Sequence, residues 1–340
     1  MVKAIKVNKM YKLDVKDKKI LDLLDTNSRL PYSVLAKKVG LSQEVVRYRI
    51  NRLVEENVIS KFFTNINMAK LGFVFYKVLA KLHNINDEKK TEIIQHLCKN
   101  QFITWIGSID GEYVLGFLVL VRDLFEFNAL LTEFTNKYSE YILKKSICIN
   151  LQGDFYPRDY LTGKQRNIEN KQIAYTARLN KINVDKKDLE ILSNLTENAR
   201  MPIIEISLKV GLSADAVSDR IKRMEKEKII ILYNILLNNN KIGRLRYKVL
   251  INLTRETAEK ERKLFAYCRM NPNIVYMIKT IGLWDAEIDL EVGSVEEFRK
   301  IMLDITNEFH DIIQDYSALL IYKVHKYNLL PKEIINLIEF

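Results

Sequence analysis

The five residues Lys-Val-Gly-Leu-Ser occur twice in this chain of 340 residues, at 38–42 and at 209–213. Identities continue on both sides of this stretch at the same offset of 171 positions (209 minus 38). The register holds without a gap from Arg29 to Ser146, which neither chance nor one reused motif explains. The chain is therefore predicted to be a tandem of two similar units. Further matching pairs are Gly72 and Gly243, Tyr76 and Tyr247, Gly111 and Gly282, and Phe127 and Phe298.

The composition is that of a folded protein with excess positive charge. No stretch approaches the roughly 20 unbroken apolar residues of a membrane helix, and the N-terminus has no apolar signal region, so we expect a cytoplasmic protein. The three cysteines are far apart and the four histidines are scattered, so we expect no disulfide framework, no metal site and no cofactor. The net charge of +11 favours a polyanionic partner such as nucleic acid. The alternative is that the excess lysines only form solvated surfaces and bind no polyanion.

The front half of each copy has the pattern of a helix-turn-helix. In the first copy an amphipathic helix over 14–26 is followed by a second helix that starts at Pro31 and ends at Gly40, where a left-handed residue costs little only for glycine. Ser42 is a good N-cap for a third helix, whose apolar stripe includes Val46 and Ile50. Residues 58–66 then read as two short strands, which would form a wing.

The outward face of the third helix carries arginine, tyrosine, asparagine and glutamine side chains. Arginine, asparagine and glutamine match the donor and acceptor pattern of base edges in the major groove. A solvated helix face is the alternative, but such faces usually mix Glu with Lys, and this one has a single acid, Glu44. We therefore predict DNA contact, with Arg52 placed for phosphate. The predicted contact residues of this copy are Ser42, Gln43, Arg47, Tyr48, Asn51 and Arg52.

The second copy has a different chemistry on the same face. Asp215 and Asp219 stand where the first copy has Glu44 and Tyr48, and two aspartates oppose approach to phosphates. We expect the second helix-turn-helix to bind DNA weakly, mainly through phosphates, or not at all. Its candidate contact residues are Ser213, Ser218, Lys222 and Arg223.

The back half of each copy reads as a βαββαβ unit, a ferredoxin-like sandwich with helices on one face of the sheet. The whole chain is thus α+β, with two tandem units, each a winged helix-turn-helix followed by a ferredoxin-like domain. The predicted divisions are a winged helix-turn-helix at 1–66, a ferredoxin-like domain at 67–154, a linker at 155–183, a second winged helix-turn-helix at 184–238, a second ferredoxin-like domain at 239–328, and a tail at 329–340.

This order of elements, with the stretches RLPYSVLAKKVGLSQEVVRYRINRL and RMPIIEISLKVGLSADAVSDRIKRM, resembles the Lrp/AsnC (feast/famine) transcriptional regulators over nearly the whole chain, twice. The resemblance implies a DNA-binding domain joined to a regulatory domain that pairs through its sheet and often binds an amino acid near that interface. The family's Gly-x-aromatic-Asp turn is intact in the second copy and lacks its acid in the first. An effector site would then involve Gly111, Tyr113, Gly282, Trp284 and Asp285, although a plain hairpin turn fits these residues equally well.

Two further questions stay open at the level of sequence. The two copies could pair inside one chain as an internal pseudo-dimer with unequal arms, or chains could associate further into a homo-oligomer through the regulatory sheets. Sirohaem decarboxylases are similar to Lrp/AsnC proteins and do not use the helix-turn-helix on DNA, so an enzyme of that type is the alternative function.

Overall fold

The duplicated pattern is visible in the computed structural model, which describes residues 10–166, 173–179, 182–254 and 257–335. Each copy begins with three helices and one strand. Two predicted signals are present: Gly40 has a φ of +69°, and the Ser42 hydroxyl accepts a hydrogen bond from the Val45 N–H at 3.3 Å. The structure adds a capping box formed by Asp14 and Asp17 at the first helix. The first-copy elements are α1 (Val15–Thr26), α2 (Tyr32–Val39), α3 (Gln43–Glu55) and β1 (Ile59–Ile66).

The rest of the first copy follows the βαββαβ order that the sequence predicts. Its elements are β2 (Val74–Leu82), α4 (Asp87–Lys99), β3 (Ile103–Asp110), β4 (Leu115–Val121), α5 (Leu124–Tyr138) and β5 (Ile142–Phe155), and the connecting segment adds β6 (Ile173–Thr176).

The second copy repeats the whole arrangement and ends in a short helix. Its elements are α6 (Lys186–Glu197), α7 (Ile203–Val210), α8 (Ala214–Lys226), β7 (Ile230–Leu237), β8 (Leu245–Leu253), α9 (Ala258–Met270), β9 (Ile274–Gly282), β10 (Ala286–Val292), α10 (Val295–Glu308), β11 (Ile313–Tyr327) and α11 (Lys332–Ile335).

The two ferredoxin-like units close into one barrel. The strands follow the order β2-β4-β3-β11-β8-β10-β9-β5, and β5 pairs again with β2 to complete the circle. The seams between copies are β3 with β11 and β5 with β9, so the two units share hydrogen-bonded edges within one chain. Closure leaves none of these eight strands with an open edge, which removes the risk of pairing with a foreign strand.

The strands present one face to the helices and the other to the barrel interior. Alternation along β2 places Val78 against α4 and α5 and places Leu79 inside the barrel with Trp105. The second copy does the same, with Val249 under α9 and α10 and Leu250 inside. The interior is therefore a core built by both copies.

The wing differs from the sequence-based expectation. Two short strands were predicted within residues 58–66, but the structure has the single strand β1, which pairs antiparallel with β7 of the other copy. The reason is that a lone strand must find a partner for its backbone groups, and the equivalent strand of the second copy offers one. The Thr64 hydroxyl donates to the Leu195 carbonyl in α6, while Ile235 and Leu237 of β7 complete the core around α1.

Two matching arginines bridge the helix-turn-helix units. The Arg29 guanidinium donates to the carbonyls of Ala199 (2.5 Å) and Met201 (3.2 Å) in the second copy. Arg200 returns the same contacts to the carbonyls of Ser28 (2.6 Å) and Leu30 (3.1 Å) in the first. These bonds and the β1–β7 pair hold the two units together about an internal pseudo-two-fold relation.

The segments between and after the copies are packed against them. In the connecting segment, β6 extends the sheet beside β5, and the side chain of Arg158 is buried between the two copies. Beyond β11, Leu330 and Ile334 enter the core of the second helix-turn-helix.

Candidate nucleic-acid interface

Helix α3 presents an exposed polar face above a buried apolar stripe. Val46, Ile50 and Leu53 are at most 2% exposed and hold the helix on α1 and α2. On the opposite side Gln43, Arg47, Tyr48 and Asn51 are all exposed, and Tyr48 is 64% exposed. This face therefore offers amide, guanidinium and phenol groups to the surroundings, which is the chemistry needed to read base edges.

Arg52 has a structural role that the sequence did not reveal. Its guanidinium lies 3.3 Å from the buried Asp17 carboxylate, which also accepts from Arg49 at 2.8 Å. The Arg52 guanidinium also lies 5.5 Å from the Tyr11 ring centroid. This side chain therefore ties α3 to α1 while 37% of it stays exposed, and its contact with a DNA phosphate stays a prediction.

The same anchor is repeated in the second copy. Arg220 contacts Asp185 at 2.7 Å and Asp188 at 2.8 Å, and Arg223 also pairs with Asp188. Arg223 therefore links α8 to α6, just as Arg52 links α3 to α1 in the first copy.

The outward face of α8 carries less usable positive charge. Lys222 is exposed but lies 3.5 Å from the Asp219 carboxylate, and Ser218 is half-buried. Ser213 caps the helix by accepting from the Ala216 N–H at 3.2 Å. The preceding helix exposes Ile204 (69%) and Leu208 (79%), where the first copy has Ser33 and Lys37. The two helix-turn-helix units thus share a fold and differ in surface chemistry.

The turn residues predicted for an effector are used in packing between the copies. A Cβ atom at Gly282 would come within 2.5 Å of the Ile147 carbonyl oxygen, and one at Gly111 within 3.3 Å of the Ala318 carbonyl oxygen. Both glycines also have positive φ values, +134° at Gly111 and +151° at Gly282. A glycine is required at each turn because the backbone of the other copy approaches so closely.

The three other effector candidates already have partners. The Tyr113 hydroxyl is hydrogen-bonded to Ser146 at 2.7 Å, and the Trp284 indole N–H donates to Glu287 at 2.9 Å. The Asp285 carboxylate accepts from the Leu253 N–H at 2.7 Å. Tyr113 and Trp284 do share the wall of a cleft of about 150 Å³. The carboxylate that would hold an amino acid's ammonium is engaged in the hairpin itself.

A buried ionic network inside the barrel was missed in the sequence. Strand β10 points Glu287, Asp289 and Glu291 inward, where the first copy has Gly116, Leu118 and Leu120. The signal was the alternation of acids in Ala-Glu-Ile-Asp-Leu-Glu-Val, which puts all three carboxylates on one face of a strand. The hydrophobic partners Ile288 and Leu290 on the other face do pack under the helices.

Cations from three parts of the chain meet these acids. Glu287 accepts from Lys77 of the first copy and from Lys248 (2.9 Å), and Asp289 accepts from Lys248 and from Arg246 (2.7 Å). Glu291 accepts from Arg158 of the connecting segment at 2.8 and 3.0 Å. The network therefore joins both copies and the connector, and it borders a cavity of about 90 Å³.

The ion pairs control the ionisation of these acids. Burial by itself would raise their pKa values, but the neighbouring cations outweigh it and lower the pKa of Asp289 and of Glu291 to about 2. The pKa of Glu287 is lowered for the same reason, by Lys248 and Lys77. Burial lowers the pKa of Lys77 to about 8 despite the Glu287 carboxylate. The three acids are held in their charged form.

In the parts of the chain that the structure describes, no group of three or more His, Cys, Asp or Glu residues could hold a metal ion. Within those same ranges, no helix combines the length and apolar character needed to cross a membrane.

Comparisons with known proteins identify the family. The AsnC-type helix-turn-helix domain model matches residues 13–54, and a winged helix-turn-helix DNA-binding model matches residues 184–231. An uncharacterized HTH-type transcriptional regulator of Pyrococcus horikoshii is 30% identical over 126 residues, which cover 37% of this chain and 78% of that protein. This chain belongs to the Lrp/AsnC family of HTH-type transcriptional regulators. A match to about a third of the chain is what one copy of a tandem would produce.

Other relatives agree with this assignment. The HTH-type transcriptional regulator Ptr1 of Methanocaldococcus jannaschii is 30% identical over 121 residues, covering 36% of this chain and 80% of Ptr1. The HTH-type transcriptional regulator LrpA of Pyrococcus horikoshii is 29% identical over 111 residues, covering 33% of this chain and 77% of LrpA.

One solved structure matches the tandem as a whole. The sirohaem decarboxylase NirDL aligns with a TM-score of 0.61 over 95% of this chain and 97% of its own, at 11% sequence identity. At that identity the likeness concerns the fold alone, and it shows that the tandem arrangement of this chain is shared by a solved structure.

Proposed function

We propose that this Lrp/AsnC-family protein is a sequence-specific regulator of transcription that binds double-stranded DNA and reads the major groove mainly through α3. The observation that carries this proposal is the exposed face of α3, where Gln43, Arg47 and Asn51 stand beside Tyr48 above a buried stripe. These side chains can donate and accept in pairs at base edges. The Ser42-capped N-terminus of the same helix suits a phosphate.

The tandem architecture implies an unusual binding site. Dimeric helix-turn-helix proteins present two identical reading helices about 34 Å apart along DNA. Here the two units are joined in one chain by β1–β7 and by Arg29 and Arg200, and their outer faces differ. One chain should therefore bind a site without a good palindrome, reading bases with α3 and contacting mainly phosphates with α8.

Replacing Arg47 by alanine is expected to weaken specific DNA binding by about 5- to 150-fold, corresponding to about 1–3 kcal/mol for one lost base contact. The preference at one base position should relax as well. The thermal stability should not change, because Arg47 is exposed. Footprint selection on genomic DNA, followed by anisotropy titrations on the selected site, measures both effects.

The matched control for this experiment is Lys222→Ala on the second reading helix. This change should lower the affinity for the selected site less than Arg47→Ala does. It should also reduce the slope of log affinity against log salt concentration by about one, as expected for the loss of one phosphate contact. A larger loss for Lys222→Ala than for Arg47→Ala would reverse the assignment of the two helices.

Arg52→Ala tests the structural role of that arginine. We expect a loss of about 1 kcal/mol in the free energy of unfolding, because Asp17 is buried and keeps only Arg49 as a charged partner. Arg223→Ala should cost a similar amount through Asp188, although Arg223 lies on the other unit. Urea denaturation measures both variants. Unchanged stability together with weaker DNA binding would return Arg52 to a phosphate-binding role.

The whole-chain likeness to NirDL raises the alternative of a decarboxylase acting on a haem-type tetrapyrrole. A tetrapyrrole with many carboxylates needs a large cationic cavity, whereas the cavity inside this barrel measures about 90 Å³ and its three cations are paired with acids. His83, His96, His310 and His325 all lie in the described ranges, and none is on the wall of that cavity. An absorbance band near about 400 nm after mixing with such tetrapyrroles, and no DNA binding, would favour the enzyme instead.

A further inference from the structure

A cavity of about 90 Å³ lies where the wing strands meet the barrel. The wall of the cavity is formed by Asn65 and Ile66 of β1, by residues from barrel strands of both copies, and by Tyr327 at the end of β11. The Gly-x-aromatic turns that were predicted to hold an effector border a different cleft. A molecule in the cavity would touch the strand that runs back to α3 and the barrel at the same time.

The wall presents hydrogen-bond donors that have no partner. Among the described residues, the Asn65 Nδ2 and the Arg246 Nε atoms are buried and unbonded, and Asn65 is only 1% exposed. A buried donor without a partner costs free energy, so its presence beside a cavity points to an acceptor that is bound there. The ammonium groups of Lys77 and Lys248 are on the same wall. A carboxylate is the small group that best satisfies such a set of donors.

The carboxylates on the wall are already engaged. The Asp289 carboxylate accepts from both Lys248 and Arg246. The Asp154 carboxylate accepts from the Tyr156 hydroxyl at 3.3 Å and from the Gln152 amide at 3.4 Å. A free amino acid would bring an ammonium group, and a carboxylate that paired with this group would have to give up one of these bonds. The ligand is therefore a carboxylate without an amino group.

The volume of the cavity and the apolar part of its wall indicate what the rest of the ligand is. The rings of Phe75, Trp105, Tyr276 and Tyr327 supply an apolar lining. A space of about 90 Å³ is below the roughly 150 Å³ of a cavity that takes up benzene and equals the liquid volume of about three waters. A carboxylate on a short aliphatic body fits both properties. A tetrapyrrole does not.

We infer that this cavity is a binding site for a short-chain monocarboxylate of about three to five carbon atoms. The carboxylate is held by the Asn65 amide and the Arg246 guanidinium, and the aliphatic body lies against the aromatic rings. This binding is independent of whether the protein binds DNA. Its position between β1 and β8 places the ligand where the helix-turn-helix units join the barrel.

The test uses isobutyrate as the probe with the full-length protein in isothermal titration calorimetry. We expect saturable binding of isobutyrate, and binding at least about 10-fold weaker for isobutyramide, which lacks the charge, and for valine, which adds an ammonium. Isobutyrate should also raise the melting temperature, as any ligand specific for the native state does. No saturable heat with isobutyrate, or tighter binding of valine or isobutyramide, would overturn the proposal.

Two variants locate the site. Asn65→Leu removes the unbonded amide at similar volume and should weaken isobutyrate binding at least about 10-fold without unfolding the protein. Asn67→Leu is the matched control, because Asn67 also carries an unbonded buried atom on the same segment but is not on the cavity wall. Leu118→Phe, which fills the cavity, should abolish binding by a second route. Equal affinities for the wild type and a folded Asn65→Leu or Leu118→Phe variant would show that the carboxylate binds elsewhere.

Discussion

Replacing Glu287 by leucine is expected to lower the free energy of unfolding by about 3–5 kcal/mol, the cost of removing one partner from a buried ion pair. The Glu287 carboxylate is fully buried and accepts from Lys77, Lys248 and the Trp284 indole. Leucine would remove the carboxylate that pairs with the Lys77 ammonium inside the barrel. Because Lys77 belongs to the first copy and Glu287 to the second, the variant also weakens the contact between copies. Urea denaturation of the full-length protein measures the loss.

Two controls separate the ion pair from ordinary packing. Glu112→Gln changes an acid whose pair with Lys144 is largely exposed, so the change should stay within about 0.5 kcal/mol. Adding Lys77→Met to Glu287→Leu should recover part of the stability, because the uncompensated charge is then gone. A loss below about 1 kcal/mol for Glu287→Leu, with no gain from the second change, would mean that the barrel hydrates Lys77 freely.

Acid should destabilise this protein as the pH falls from about 4.5 to 2, because two buried carboxylates of the ionic network are then protonated. Asp289 and Glu291 have folded-state pKa values of about 2, below their ordinary values of 3.8 and 4.5. A carboxylate with a lowered pKa in the folded state stabilises the fold above its unfolded pKa, and that contribution is lost as pH falls through the folded value. We expect each acid to contribute on the order of 3 kcal/mol, lost between about pH 4.5 and pH 2. Denaturation curves from pH 6 to pH 2.5 measure this decline.

One acid in the same network acts in the opposite direction. Burial, reinforced by Glu291, raises the pKa of Asp25 despite its contact with Arg158. Its ionisation therefore costs stability as pH rises, and it moderates the slope that Asp289 and Glu291 produce. Asp289→Asn should flatten the acid branch of the profile, whereas Asp311→Asn, on an exposed pair with Lys260, should leave it unchanged. A profile that is flat from pH 6 to pH 3 in the wild type would contradict the lowered pKa values.

The local elements could be read from the sequence because their signals are local. The Gly40 turn and the Ser42 cap each depend on residues within a few positions, and the structure shows both. The apolar stripe of α3 and the βαββαβ order follow from periodicity in the same way. Because the two copies match in sequence, the elements predicted for the first copy could also be assigned to the second.

The exposed side chains of α3 were predictable for the same reason, whereas the ion pair that ties Arg52 to α1 was not. Helical periodicity is enough to place Arg47 and Tyr48 outward. Whether Arg52 faces DNA or a neighbour depends on Asp17, which is distant in sequence and comes close only when α1 packs on α3. The hydrogen bonds of Asp285 and Trp284 could likewise not be predicted, because their partners Leu253 and Glu287 are set by strand register.

The sequence by itself determined that this protein is a duplicated helix-turn-helix and ferredoxin-like chain of the Lrp/AsnC type, and it placed arginine, tyrosine and amide side chains on the exposed face of α3. Only the tertiary structure decided that β1 pairs with β7, that the two sheets close into one barrel, and that Lys77 meets Glu287 inside it. The physical reason is that capping and periodicity act between near neighbours, whereas edge pairing and buried charge neutralisation join residues far apart in the chain. Such partners are selected by the free energy of the assembled core, and no short stretch of sequence contains that information.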